Sequence, residues 1–353
     1  MGRKILPAGR PSLTPSGRFA HTAVWADTTE EMIIWGGEQD DDSEPCNLFW
    51  GGPLLNSGWV YHPATDTWRE TPDQIGDNAP APRDSHTAVW AEAPGKMIVW
   101  GGFGEGILRN DGGRYDPALD LWAGIPTITA PAARSQHTAA WARELGKMII
   151  WGGAGTCCPQ PYYNDGALYD PVANTWSGFF TVPFPGRVDQ QAVWTGKELV
   201  VAHGYWQDDT PPDPIIYEDS TFRYNPATGI TTEVSAGPYQ PNRIYDAAVW
   251  TGTEMLLWSG VSKDYSTDCS GYGWCIKREK NGAALRVPAS YYGDRDNDGR
   301  VDGADLGILS RSFGLKPGEA GYDPRADIFG PDGVDAYDLT LLTDGFGQRY
   351  TCP

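Results

Sequence analysis

Positive charge is scarce in this sequence: 27 Lys and Arg stand against 46 Asp and Glu, a formal net charge of −19 over 353 residues. Phosphate neutralisation needs a basic face, so the balance argues against a nucleic-acid partner and agrees with binding of a cation. Long apolar runs are missing too, and no stretch approaches the roughly 18–20 residues that span a bilayer. The first twenty residues, MGRKILPAGRPSLTPSGRFA, lack the apolar segment of a secretory leader. Either the protein is cytosolic or this N-terminus is not the natural one. Cys46, Cys157, Cys158, Cys269, Cys275 and Cys352 form no CxxC pair and no Cys/His group at zinc-ligand spacing. Their even number fits disulfides in an oxidising compartment, with Cys269 and Cys275 the first local pairing to consider. No GxSxG is present, which removes one common nucleophile motif.

What is abundant points elsewhere. Sixteen Trp, 17 Tyr, 44 Gly and 29 Pro describe many short strands joined by tight turns rather than helical bundles. The length accommodates one large domain and a small one. Within the large part a motif returns five times: RFAHTAVW from Arg18, RDSHTAVW from Arg83, RSQHTAAW from Arg134, RVDQQAVW from Arg187 and RIYDAAVW from Arg243. The intervals of 65, 51, 53 and 56 residues, each holding several strand signals, are those of propeller blades.

Each repeat continues with a second apolar run and glycines, as in MIIWGG (32–37), MIVWGG (97–102) and MIIWGG (148–153). The fourth and fifth read LVVAHG (199–204) and MLLWSG (255–260). Six residues join the first two strands in repeats one to three, and four (TGKE, TGTE) in repeats four and five. A two-residue change keeps every side chain on its face, whereas an odd change would invert them. A Tyr, a proline turn and a Trp follow: Tyr61 with Trp68, Tyr115 with Trp122, and Tyr169 with Trp176. Four sequential strands per repeat form an antiparallel meander.

A glycine pair followed by Tyr and Trp at this spacing resembles the kelch motif, and the resemblance covers about residues 15–290. It implies a mainly β chain whose residues 1–290 form a kelch-type β-propeller with five visible blades. Two closures stay open: a five-bladed ring, or an N-terminally truncated larger propeller, the one that the absent leader favours. The fourth repeat departs at His203-Gly204 and at Thr231, and the fifth at Ser259-Gly260. His21, His86 and His137 recur at one position, where later repeats carry Gln190 and Asp246, so they read as structural hydrogen-bonding groups. Some kelch propellers are enzymes, including copper radical oxidases and sialic-acid epimerases. Only His62 and His203 remain as spare copper ligands, which makes no ligand set. A carboxylate pair for glycoside hydrolysis stays open because loop carboxylates are plentiful. No catalytic residue is assigned.

Near the end, GDRDNDGRVDGAD places five carboxylates in the twelve residues from Asp294 to Asp305. Their mutual repulsion is offset if Asp294, Asp296, Asp298, Asp302 and Asp305, with the Arg300 carbonyl, surround calcium at loop positions one, three, five, nine, twelve and seven. An offset of 33 residues maps the loop onto Asp327, Asp335 and Asp338, with Asp332 near its centre. There Phe329 and Pro331 replace two ligands, so the second site is degenerate. Each loop runs into a helical pattern, Leu306, Leu309 and Phe313 in the first. The pair resembles a type I dockerin over about 291–353, which implies a small all-α calcium-binding domain and a cohesin-type partner. The recognition positions of that family hold Gly303, Ala304, Ala336 and Tyr337, an atypical set. A calcium-stapled domain without a cohesin is the plainer alternative.

These readings converge on a secreted, non-catalytic binding or scaffold protein at the cell surface or outside the cell, with a carbohydrate-active enzyme of polysaccharide catabolism as the alternative. The expected ligand face carries Arg18, Arg83, Arg134, Arg187 and Arg243 among the loop aromatics Trp50, Tyr163 and Trp206. Guanidinium forks and aromatic rings suit a carboxylate-bearing glycan or an acidic peptide. The competing reading is that each arginine bonds blade backbone, because repetition favours architecture.

Overall fold

The computed structural model describes residues 14–39, 52–72, 78–156, 160–207, 215–218 and 220–234, then shorter pieces at 243–244, 247–252, 254–258, 261–264, 275–278, 282–286, 311, 315–316 and 319–320. Both calcium-type loops, Trp50 and every cysteine but Cys275 lie outside them. Among the described residues up to 286 the regular elements are strands, apart from one 3-10 turn at Arg143–Leu145. Two compact units divide the chain. The first holds repeats one to three as far as Val188; the second holds residues 142–145 and the chain from Asp189.

Four repeats are four-stranded antiparallel sheets whose strands neighbour one another in chain order. The second repeat runs Thr87–Ala91, Lys96–Trp100, Gly112–Asp116 and Leu121–Gly124. The fifth shows Ala247–Trp250, Glu254–Trp258 and Gly282–Arg286 in the same order. The short hairpins keep register: Trp90 faces Met97 in the long form, and Trp194 faces Leu199 in the short one. In the short form Gly196 takes φ +97 at the first central position, which is why Thr-Gly works there. Thr195 Oγ1 caps the turn by accepting from Lys197 N and Glu198 N.

The core lies between sheets. Val24, Ile33, Trp35 and Val60 of the first repeat pack against Trp90, Met97, Val99, Tyr115 and Trp122 of the second. The opposite face of the second repeat, with Val89, Ile98 and Trp100, packs against Met148, Ile150, Tyr169 and Trp176 of the third. Strand alternation makes this possible, since successive side chains serve opposite neighbours and both faces are apolar. In the second unit Val193, Val200 and Ala202 meet Met255 and Leu257 in the same way.

The Tyr–Trp motif is a local clamp. Tyr115 and Trp122 are cross-strand partners with rings 5.2 Å apart, and Tyr169 and Trp176 repeat this at 5.1 Å. Five residues after each Tyr stands Asp66, Asp120 or Asn174, all at left-handed φ near +55, and the tyrosine hydroxyl donates to that side chain. Asp and Asn tolerate this conformation best after glycine. The fourth repeat puts Gly229 there, at φ +72. Asp116 and Asp170 close the preceding proline turn by accepting two backbone N–H groups each.

Candidate functional site

The glycine pair brings two segments of each repeat to one end of its sheet. In the first, Arg18–Phe19 pairs with Glu38–Gln39, so the stretch before strand one lies beside the stretch after the glycines. The same contact recurs as bridges Asp84 to Phe103 and Ser135 to Ala154, and as the pairing of Arg243–Ile244 with Val261–Asp264. First glycines of the pair take left-handed φ, +68 at both Gly36 and Gly101. Side chains there would collide: a Cβ on Gly101 would stand 2.7 Å from the His137 ring.

The arginines sit inside this junction. Arg83 and Arg134 are fully buried. Arg83 Nη1 donates to the carbonyls of Gly101 and Asp111 and lies 2.8 Å from the Asp111 carboxylate. Arg134 Nη1 donates to Gly152 O and to Asp165 Oδ1, and its guanidinium lies 4.2 Å above the Tyr163 ring. Arg18 repeats the pattern, half-buried, with Nη1 on Gly36 O and Ser57 O. Arg187 is also buried, 5.5 Å from the Trp151 ring, and its carbonyl accepts from Gly153 N. The guanidinium groups of Arg18, Arg83 and Arg134 therefore hold backbone instead of presenting forks to solvent. Arg243 is described only as strand backbone. Trp206, half-buried, donates from its indole nitrogen to Glu218 Oε1 at 3.3 Å.

The histidines tie one repeat to the one before. His86 Nε2 is hydrogen-bonded to Thr22 Oγ1 at 2.9 Å and its ring meets Trp35 edge-on at 5.1 Å. His137 does the same with Thr87 and Trp100. Burial first, then the Arg83 charge, pushes His86 down to about 3; burial and Arg134 push His137 well below the usual imidazole range. Both are neutral at physiological pH and have no free nitrogen facing solvent for a metal.

Between these fixed residues the repeats differ, and the differences collect in one place. An open cleft of about 490 Å³ is lined by Glu38, Asp84, Ser85, Phe103, Ser135 and Gln136, together with Gly52 and Leu54. Glu38 and Phe103 are the residues after the glycine pair in repeats one and two. Asp84, Ser85, Ser135 and Gln136 are the two residues after the arginine in repeats two and three. Ser85 and Gln136 hold left-handed φ of +50 and +55, as do Ala20 and Asp189 at the same position. Glu38 is 3% exposed and accepts from Gly52 N at 2.7 Å. Asp84 is 4% exposed; burial above all, and the nearby Glu38 charge, raise its pKa, against a lowering hydrogen bond from Ser85. Phe103 leaves 40% of its surface open at the lip. Two carboxylates, hydroxyls, an amide and one aromatic face can bind a polyhydroxylated molecule, and a raised carboxyl beside a carboxylate can move protons.

Sequence reasoning did not find this group. Repetition was the signal it followed, and these are the positions at which the repeats disagree. A comparison of the repeats column by column, looking for acidic charge confined to one copy, flags Glu38 and Asp84 together with Asp189 and Asp246. Among the described residues no group of His, Cys, Asp and Glu is disposed to hold a metal ion. None of their helices is long and apolar enough to cross a membrane.

A family model described as the KLHDC2/KLHL20/DRC7 Kelch-repeats domain matches residues 21–260. Two curated proteins, the N-acetylneuraminate epimerases of Haemophilus influenzae strains PittEE and 86-028NP, are each 25% identical over 152 residues, 33% of this chain and 40% of theirs. The chain thus matches about two-fifths of the length of those relatives.

Proposed function

Because the chain belongs to the kelch-repeat family, the β-propeller family whose model spans residues 21–260, we propose that it is a binding protein whose repeats present the Glu38–Asp84 cleft to a glycan. The observation that carries this reading is the cleft itself. Its walls are built from repeat-variable positions on a backbone that the arginine, histidine and glycine positions hold fixed. Ser85, Ser135 and Gln136 both donate and accept, which matches sugar hydroxyls, and Phe103 offers a surface for a pyranose face. The buried arginines act as supports, so an acidic glycan is no longer the ligand favoured at this end. Screening the protein against a glycan array tests the reading: Phe103→Ala together with Gln136→Ala is expected to remove the signal while leaving the melting temperature within a few degrees. Retention of binding by that double variant places the ligand elsewhere.

The C-terminal loops extend the proposal. Asp294, Asp296, Asp298, Arg300, Asp302 and Asp305 would hold one calcium ion, and Asp327, Asp332, Asp335 and Asp338 a weaker one, in a dockerin-like module that attaches the propeller to a cohesin or a cell-surface assembly outside the cell. The support is the in-register sequence duplication at an offset of 33 residues. Calorimetric titration of the full chain with calcium is expected to give two unequal sites. Asp298→Ala should remove the tight one and Asp332→Ala leave it; two equal sites, or none, would refute the assignment.

A second reading has its own support. Asp84, its pKa raised by burial first and then by the nearby Glu38 charge, has the disposition of a general acid next to a base, and the relatives named above are N-acetylneuraminate epimerases. In this reading the cleft belongs to a carbohydrate-active enzyme. Product formation from a saccharide panel, abolished in Asp84→Asn, would establish it.

A further inference from the structure

We propose that this protein associates head to tail with a second copy of itself, the fifth repeat of one chain packing on the first repeat of the next. Successive repeats meet by a fixed rule. The face leaving a repeat offers a Val from strand one with an Ile and a Trp from strand two. These are Val24, Ile33 and Trp35 in the first repeat, and Val89, Ile98 and Trp100 in the second. The face receiving them offers a His ahead of strand one, an Ala and a Trp within it, and the Tyr–Trp clamp. Trp35 thus lies 5.1 Å from the His86 ring and 5.5 Å from Trp122, and Trp100 lies 5.0 Å from both His137 and Trp176.

The fifth leaving face and the first receiving face stand open. In the fifth repeat Val249, Leu256 and Trp258 hold the leaving positions, and all three are exposed, Trp258 by 61%. In the first repeat His21, Ala23 and Trp25 hold the receiving positions and are exposed, Trp25 by 48%, whereas Trp90 of the second repeat is buried. Trp68 is half-buried where Trp122 and Trp176 are buried. Its clamp is nevertheless formed, with the Tyr61 and Trp68 rings 4.8 Å apart. A single exposed tryptophan needs no explanation, but these groups are the two halves of an interface that the chain builds between its own repeats.

A second copy is the occupant that fits, because it carries the missing half of each face. The two open faces are unlike, so each is complementary to the other and not to itself. Contact between unlike faces is heterologous and repeats from copy to copy. In it Trp258 enters between His21 and Trp68 of the second copy, as Trp35 enters between His86 and Trp122. The histidine bond is dispensable: Ala247 stands at the threonine position of the fifth repeat, and Asp246 already replaces a histidine where repeats four and five join. There Val193, Val200 and Ala202 pack on Met255 and Leu257 all the same. Apolar burial therefore drives the contact. The net charge of −19 opposes it, since like-charged copies repel, and salt that screens the repulsion strengthens it.

The test is sedimentation of the full chain over a wide concentration range, with a reductant present so that cysteines cannot link copies. The wild-type mass is expected to rise with concentration to that of two chains or more, and to rise further with added salt. Trp25→Glu spoils the receiving face and Trp258→Glu the leaving face, so either variant alone is expected to keep the mass of one chain. Melting temperatures matching that of the dilute wild type show that both variants fold; Ala23→Glu and Val249→Glu repeat the test on the same faces if either melts early. An equimolar mixture of the two variants retains one intact face of each kind, and is expected to form a complex of two chains and nothing larger. A wild-type protein that keeps the mass of one chain at every concentration overturns the inference. Association that either variant leaves intact, that salt weakens, or that the mixed variants fail to restore overturns it as well, because the contact then lies on another surface. The inference is independent of the glycan reading, since none of these positions lines the cleft.

Discussion

Trp100 and Trp258 occupy the same place in their repeats, the end of strand two before the turn, and face opposite fates. Trp100 is fully buried, with His137 and Trp176 of the following repeat about 5 Å from its ring. Trp258 is 61% exposed, and Val249 and Leu256 on the same face are exposed with it. The sequence around the two is nearly interchangeable, MIVWGG and MLLWSG. The difference therefore lies in the neighbour: Trp100 is a core residue because the following repeat brings His137 and Trp176 against it. Energy in such an array belongs to the interface between repeats more than to any single sheet.

The largest effect should come from breaking that comparison directly. Trp100→Ala removes a ring packed on both sides and is expected to cost about 3–5 kcal/mol in denaturant unfolding, whereas Trp258→Ala should cost less than about 1 kcal/mol. Equal costs would show that the fifth repeat is covered as the second is. Next comes Arg134→Met, which strands the Gly152 and Asp165 carbonyls and the Asp165 carboxylate; about 3 kcal/mol is expected from the same measurement. A loss under about 1 kcal/mol would mean that the clamp is idle.

A sharper version exchanges residues between repeats. His86 and His137 have folded pKa values depressed below the unfolded imidazole value, so the unfolded chain binds more protons in acid. Their contribution is fully present above about pH 6.5 and is lost as pH falls toward about 3, the value for His86. Asp84, raised above its ordinary value, works in the opposite direction, losing its contribution as pH rises through its folded value. His137→Gln borrows the residue that the fourth repeat carries as Gln190. Urea midpoints measured between pH 4 and pH 8 should fall less steeply in acid for this variant, at a cost of about 1 kcal/mol near neutrality. An unaltered slope would exclude His137 as a source of the pH dependence. A similarly small effect is expected for Asp120→Gly, which borrows Gly229: relief of the left-handed backbone offsets part of the lost bonds to Tyr115 and Arg69, leaving about 1 kcal/mol.

The repeated architecture was legible because its signals are periodic and local. Alternating apolar residues fixed the strands, glycines marked their ends, and an even change in hairpin length kept the faces, as the Trp90–Met97 and Trp194–Leu199 pairings show. The role of the arginines was ambiguous for a physical reason. A guanidinium fork fits backbone carbonyls as well as it fits a ligand carboxylate, and only burial separates the two. The partners of Tyr115 and Tyr169 escaped notice because Asp120, Asn174 and Gly229 share a conformation, not a chemistry. Glu38 and Asp84 escaped because nothing in their immediate sequence marks them; they are brought together only when sheets from adjacent repeats align their turn ends.

The arginine and histidine bonds also bear on how such a chain changes over generations. The Nη1 contacts of Arg18, Arg83 and Arg134 each close within a single repeat, eighteen residues on and again at or just before strand three. Each histidine contact reaches back to a threonine one repeat earlier. A duplication whose boundaries fall just ahead of the arginine copies a unit with its internal ties intact, and the junction needs only a threonine on one side and a histidine on the other. The fourth repeat shows the junction drifting: Gln190 replaces the histidine, while His203 stands where the first three repeats keep glycine and the next repeat has Asp246 for its histidine. The seam between copies, not the copy itself, is where such a gene has room to diverge.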